Sequence, residues 1–223
     1  MTLTKDALVT ETIIRAIVPR PDVSLVTTFW FAEVANERTF LFPPILRREV
    51  RELPPSEGDH VLVYFTQGFA AFLDRLAGFP RERFLVYGTG REGERGNCVF
   101  RGFSREGFLR DLAACKAVIA TAGFTLITEA LHLGKPYLAL PMKGQFEQSL
   151  NALLLGRTGY GKNGWRARPE DVGDFLYHLP EHRARLATYP SPGNGAIERA
   201  LDELLADDAA LARERHRRRG GAD

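Results

Sequence analysis

The stretch TAGFTLITEA, residues 121–130, places small residues and one carboxylate where a buried apolar run, Ala117-Val118-Ile119-Ala120, turns into a helical pattern that continues to His132. Ala122 and Gly123 permit close backbone approach, and Phe124 and Thr125 open the helix, Thr125 adding a hydroxyl. The free N–H groups and the dipole of a helix start favour an anion there, so a diphosphate could be held without any lysine. Glu129, one turn further in, is a carboxylate able to accept hydrogen bonds from two vicinal hydroxyls, such as those of a ribose. Its four-residue spacing from Thr125 does not fit a capping box. The bland alternative is that Glu129 only complements the helix dipole.

A second polar mouth follows. Gly134-Lys135-Pro136 leads into the apolar Tyr137-Leu138-Ala139-Leu140, and after it Glu147, Gln148 and Asn151 stand at the start of another helix. In an open parallel sheet, ligands bind where strands end and helices begin, so two such mouths converge on one cleft.

From Glu129 through Asn151 this pattern resembles the nucleotide-sugar-binding half of inverting GT-B glycosyltransferases of the family 28 type. The resemblance covers about residues 60–162, with its specificity concentrated in 121–152. It implies that Ala122, Gly123, Phe124 and Thr125 approach the donor diphosphate and that Glu129 holds the ribose. It also implies that Glu147 and Gln148 hydrogen-bond the donor sugar, while the loop Arg101-Gly102-Phe103-Ser104 faces the nucleobase, with Phe103 and Phe108 as its apolar contacts. Asn151 reads as a helix-packing residue. The first strand-to-helix turn departs from the family: where glycines are usual, the chain has Phe65-Thr66-Gln67-Gly68, so Thr66, Gln67 and Gly68 are its candidates toward the phosphates.

The elements that would position these groups alternate. Apolar runs at 60–65, 83–87, 97–100, 117–120 and 136–140 read as strands. Helical patterns at 69–76, 108–114, 124–132 and 146–155 lie between or after them, with Gly156 and Gly159 as stop signals. Strands separated by helices predict parallel pairing and a Rossmann-like α/β sheet with helices on both faces. Arg168-Pro169-Glu170-Asp171 carries the proline and acids of a helix start. A last helix is expected over about 196–217, ending in a basic run. Earlier, an N-terminal helix and a strand at 23–28 lead into Thr39-Phe40-Leu41-Phe42 and a proline-rich link. The resemblance implies a division into 1–58 as a remnant of an acceptor domain with its linker, 59–195 as the nucleotide-sugar-binding domain, and 196–223 as a helix with a basic tail.

Composition narrows the classes. The chain has 223 residues, 44% hydrophobic and 26% charged, with a formal net charge of +2, which gives no global case for nucleic acid. Its two cysteines, Cys98 and Cys115, lack metal or redox spacing and read as reduced core residues of a cytoplasmic protein. Pro180 interrupts the helix that would align His178 with His182, so no metal site is expected. Gly88-Thr89-Gly90-Arg91-Glu92-Gly93 reads as a loop over the cleft. The basic tail from Arg213 to Arg219 is a candidate for peripheral contact with an anionic membrane, weighed against a solvated helix end.

The resemblance implies hexosyl transfer from a nucleoside-diphosphate sugar, UDP-sugar favoured, to an acceptor hydroxyl, with inversion and without a cofactor. No residue is nominated as catalytic base, because in such enzymes it generally comes from the acceptor domain. The alternatives are a donor-binding subunit of a split enzyme, a non-catalytic nucleotide-sugar-binding module, or a nucleotide-sugar 2-epimerase. An acceptor-domain partner chain or self-association is expected, because the strand at 23–28 should expose apolar surface.

Overall fold

The computed structural model describes residues 2–17, 21, 23–34, 37–66 and 68–206. Gln67 and the basic tail therefore lie outside the described residues. In chain order the elements are α1 (Thr2–Ile17), β1 (Ser24–Thr27), β2 (Thr39–Phe42), α2 (Arg48–Arg51), β3 (His60–Tyr64) and α3 (Ala70–Arg75). There follow β4 (Arg83–Tyr87), β5 (Gly93–Arg95), β6 (Cys98–Phe100), α4 (Arg105–Ala114), β7 (Ala117–Thr121), α5 (Phe124–His132) and β8 (Tyr137–Leu140). The chain continues through α6 (Phe146–Thr158), β9 (Gly161–Asn163), α7 (Pro169–Tyr177), α8 (Leu179–Leu186) and α9 (Gly195–Ala206).

Two compact units result. One comprises residues 1–46 with 190–223, the other 47–189. The boundaries expected at 58 and 195 thus fall earlier in the chain, for reasons visible in the bonding. Val50 is fully buried. The N–H groups of Ser56 and Gly58 donate to the carbonyls of Ala113 and Ala114, over 3.0 and 2.7 Å, so the proline-rich link belongs to the sheet unit. At the other end Asn194 belongs with residue 46. Its side-chain carbonyl accepts from the Leu46 N–H at 2.9 Å, and its amide donates to the Leu46 carbonyl at 3.0 Å.

In the first unit β1 and β2 form a two-stranded parallel sheet. Val26, Trp30, Phe31 and Phe40 are each a third to a half exposed.

The second unit is a seven-stranded sheet in the order β5-β6-β4-β3-β7-β8-β9, parallel throughout except for the β5–β6 hairpin. Its central strands are buried on both faces, which is why they read as unbroken apolar runs rather than alternating ones. Val61, Leu62, Val63, Phe84, Val86, Ala117 to Ala120 and Tyr137 to Ala139 are at or below 5% exposure. Truncating such a side chain, as in Leu62→Ala, costs about 2–5 kcal/mol through lost burial and an unfilled cavity.

Helix ends follow local chemistry. α4 starts three residues before the predicted 108, because the Ser104 hydroxyl accepts the Gly107 N–H at 3.0 Å and caps it. α6 runs through Gly156 and stops only at Gly159, whose left-handed φ of 74° ends it. α7 begins at Pro169 as predicted, with the Arg168 N–H donating to the Asp171 carboxylate at 3.1 Å. Pro180 breaks the path between His178 and His182 by starting a new helix, α8, in its first turn. The two rings then serve separate carbonyls, those of Asp174 and Gly159, each at 2.8 Å.

The ends of the strands differ in charge logic. At the N-terminal edge of the sheet α4 and α5 present their carbonyl-rich C-termini, and cations gather there. Lys135, 5% exposed, donates to the Ser56 carbonyl. Arg183 reaches the Lys116 carbonyl at 3.3 Å and Glu57 at 2.5 Å. The opposite, C-terminal edge is where helices begin. β3 pairs β4 on one side and β7 on the other, so the chain order reverses there and opens a crevice beyond the carboxyl ends of β3 and β7.

Candidate functional site

That crevice is a cleft of about 610 Å³, lined chiefly by residues that end strands or begin helices. β3 contributes Tyr64 and the following Thr66, and β4 contributes Tyr87 and the following Gly88. The loop after β6 adds Arg101, Phe103 and Ser104, α4 adds Arg105 and Phe108, and α5 adds Thr125 and Leu126. Arg47, just before α2, completes one wall.

The aromatic part is rigid. The Phe108 ring meets Tyr64 edge-on at 5.4 Å and Tyr87 at 5.2 Å, with interplanar angles of 65° and 84°. Tyr87 is fixed from behind by its hydroxyl, which donates to Asp111 over 2.6 Å. Burial, then the hydrogen bond to Asp111, holds that phenol above its ordinary range, so it stays a proton donor. Phe103, by contrast, is 98% exposed at the rim, an aromatic face with no packing role of its own.

The opposing wall is the start of α5. Gly123 is its N-cap in an extended conformation, with open space where a side chain would stand. The preceding Ala122 is fully buried, and its carbonyl accepts from the Asn151 amide at 3.0 Å. Asn151, read from sequence as a packing residue, therefore fixes the turn that aims the N-terminal N–H groups of α5.

Of the residues proposed from sequence, the structure brings Thr66, Phe103, Phe108 and Thr125 onto the cleft wall, with Ala122, Gly123 and Phe124 forming the adjoining turn. Gly68, with φ of 79°, lies in the exposed turn outside that wall. Glu147 is exposed and outside it as well. Gln148 is engaged in the loop before α6: its carbonyl accepts from the Met142 N–H at 3.0 Å, and its amide donates to Gln145 at 2.7 Å. Glu129 is 3% exposed and paired with Arg47, so the guanidinium rather than the carboxylate forms the wall. Of the glycine loop, Gly88 and Gly90 do line the cleft, and Gly93 starts β5.

The sequence reading passed over Tyr64, Tyr87 and Arg47. The two tyrosines had a signal, since each is the last residue of its strand and carries a polar tip to the ligand-binding edge. Arg47 had none, lying 82 residues from its partner. Among the described residues no group of three or more metal-ligating side chains converges, and no helix is long and apolar enough to cross a membrane.

A doubly wound sheet with a cleft at its switch point is the architecture of the nucleotide-sugar-binding half of GT-B glycosyltransferases, and solved structures share it. The kitacinnamycin glycosyltransferase superposes with a TM-score of 0.60 at 20% identity, over 82% of this chain and 55% of its own. The calicheamicin glycosyltransferase CalG4 gives 0.58 at 16%, over 91% and 61%. LpCGTa, solved in complex with UDP, gives 0.56 at 19%, over 84% and 55%. A family model described as glycosyl transferase family 1 matches residues 1–180, and the chain belongs to that family. The resemblance to GT-B glycosyltransferases seen in the sequence holds. Two uncharacterized glycosyltransferases are related in sequence. One, from Methanosarcina acetivorans, is 36% identical over 69 residues, 30% of this chain and 18% of its own. The other, from Methanosarcina mazei, is 32% identical over 100 residues, 42% and 26% respectively. The chain thus spans 18–26% of those relatives and 55–61% of these three solved structures.

Proposed function

We propose that this chain binds the donor of an inverting glycosyl transfer, from a nucleoside-diphosphate sugar to an acceptor hydroxyl. The observation that carries the reading is the cleft itself, an aromatic wall of Tyr64, Tyr87, Phe103 and Phe108 facing the first turn of a helix. A nucleobase fits the aromatic side, and a diphosphate fits the N–H groups after Gly123 with the Thr66 and Thr125 hydroxyls nearby. Glu147, exposed at the start of α6, is the proposed contact of the donor sugar, joined by Gln148 once the sugar displaces its bonds to Met142 and Gln145. In the reaction the acceptor oxygen bonds to the anomeric carbon, the bond from that carbon to the diphosphate oxygen breaks, and the electron pair leaves with the diphosphate. The start of α5 stabilises that departing charge as it develops. The acceptor proton passes to a base from the acceptor side. Exposed Val26, Phe31 and Phe40 in the first unit favour a second reading, a donor-binding subunit that works beside an acceptor-binding partner.

Calorimetric titration of the purified chain with UDP, GDP and dTDP, and one sugar conjugate of each, tests the proposal. UDP is the favoured ligand, in keeping with the UDP complex of LpCGTa. Saturable binding of one base, weakened by replacing Phe108 or Tyr64 with alanine, is the expected result. Absence of binding across the whole panel overturns it.

A further inference from the structure

The N-terminal edge of the large sheet, opposite the cleft, holds a cavity of about 270 Å³ whose walls include Lys116, Lys135, Arg183, Glu57 and Cys115. Three cations there face one carboxylate. Helix dipoles draw them to this edge, but the carbonyls at the helix ends already have other partners. In the last turn of α4 the carbonyls of Asp111, Leu112, Ala113 and Ala114 accept from the His60 ring, the Cys115 thiol, and the Ser56 and Gly58 N–H groups. At the end of α5 those of Glu129, Ala130 and Leu131 accept from the N–H groups of Leu133, Lys135 and Gly134. The charged ends of the three cations are therefore not needed as helix caps.

Lys135 shows what is left over. It is 5% exposed, yet among the described residues no carboxylate pairs with it, and its ammonium gives one of three N–H groups to the Ser56 carbonyl. Cys115, on the same wall, is kept protonated by burial and supplies no counter-charge. The other two cations have partners of their own. Arg183 reaches Glu57, the residue after Ser56, at 2.5 Å and the Lys116 carbonyl at 3.3 Å, and Lys116 pairs with Glu82. Lys135 thus carries a charge without a counter-ion, which is strongly unfavourable when buried and is relieved by an anion.

We infer that this cavity binds a phosphoryl group, with Lys135 as its principal ligand and Arg183 and Lys116 beside it. A phosphoryl group offers three oxygens to three cations, where a carboxylate offers two, and bonds between ionised partners are the stronger class. At about 30 Å³ per water, the cavity has room for the group and part of its hydration shell. The site and the cleft lie at opposite ends of the strands, so the inference stands apart from any donor in the cleft.

The test is a titration of the full chain, as wild type, Lys135→Met and Arg183→Gln, with inorganic phosphate at constant ionic strength. Calorimetry reads binding, and the thermal midpoint is followed in parallel. Lys135→Met should weaken phosphate binding by about 10- to 100-fold, and Arg183→Gln by about three- to tenfold. Phosphate should raise the midpoint of wild type and leave that of Lys135→Met where it was. Without phosphate, Lys135→Met is expected to unfold no earlier than wild type, because it exchanges an unpaired buried charge for an apolar chain. Should that variant fail to fold, Arg183→Gln, at a side chain 36% exposed, carries the comparison. Phosphate that binds wild type and the variants alike sits elsewhere and overturns the inference, as does the absence of binding. Acetate that competes as strongly as phosphate overturns the phosphoryl assignment. Flotation with phosphatidylcholine vesicles, with and without phosphatidic acid, identifies the source of the group. Capture by phosphatidic acid that Lys135→Met loses makes it a lipid headgroup, binding of the free ion without capture makes it a soluble phosphate, and either sustains the site.

Discussion

The side-chain amide of Asn151 donates to the carbonyl of Ala122 over 3.0 Å, tying α6 to the turn from which α5 begins. Both residues are buried, so neither group has water to fall back on. Replacing Asn151 with alanine strands the Ala122 carbonyl and should cost about 1–3 kcal/mol of stability. It should also weaken nucleotide binding, because the loosened turn no longer aims the first N–H groups of α5. Urea unfolding and calorimetry on one preparation check both. A variant with full stability and full affinity would show that the bond is incidental.

Asn194 makes a reciprocal pair of bonds with the backbone of Leu46, at 2.9 and 3.0 Å, inside the first unit. Alanine there removes a donor and an acceptor together and leaves two buried backbone groups unmet. The expected cost is about 2–4 kcal/mol, more than for the single bond of Asn151. A shift of the denaturation midpoint too small to separate Asn194→Ala from wild type would contradict it.

Gly88 joins fold to site, since it follows β4 and lies on the cleft wall. Its φ is +85°, and a Cβ there would stand 2.4 Å from the carbonyl oxygen of Phe65. Both the backbone conformation and the contact therefore exclude a side chain. Gly88→Ala should destabilise the chain by about 2–4 kcal/mol and distort the cleft where β3 and β4 end. Gly90 has a positive φ but nothing within 4 Å of the same position, so Gly90→Ala should cost clearly less. Thermal unfolding of the two variants side by side reads the contrast, and equal midpoints would refute the steric argument.

The sequence disclosed what continuous burial writes into it. β3, β4, β7 and β8 lie within one residue of their predicted limits because strands buried on both faces must be apolar throughout. It did not disclose β5, Gly-Glu-Arg, whose residues are all exposed and which exists as the edge partner of β6. Nor did it disclose β9, Gly-Lys-Asn, which pairs with β8 and needs Gly161 where a Cβ would meet the Tyr137 carbonyl at 2.0 Å. Those strands are made by their neighbours, not by their own composition. The site divides in the same way. Thr66, Phe103 and Thr125 were legible because they sit at strand-to-helix turns, where position implies direction. Arg47 was not, because pairing with a residue 82 positions away leaves no local pattern.

Cys115 links burial to alkaline stability. It is fully buried, its thiol donates to the Leu112 carbonyl at 3.2 Å, and burial pushes it up to about 12 from the ordinary value of 9.0. Because the folded pKa is the higher one, the folded chain keeps this proton at a pH where the unfolded chain has lost it. The contribution to stability is therefore complete below about pH 9 and declines as pH rises toward 12. Cys98, also raised by burial, acts in the same direction. Urea midpoints measured from pH 8 to 10 should fall in wild type, and fall less in a Cys98→Ala/Cys115→Ala variant after allowing for its lower starting stability. Tyr87, Tyr137 and Tyr189, whose phenols are likewise raised by burial, leave both proteins a shared decline beginning near pH 10, so the comparison belongs below it. The same burial predicts that a thiol reagent at pH 8 modifies neither cysteine until the chain unfolds. Rapid modification of the folded protein would show that these thiols are reached by solvent, and the predicted alkaline difference would vanish with it.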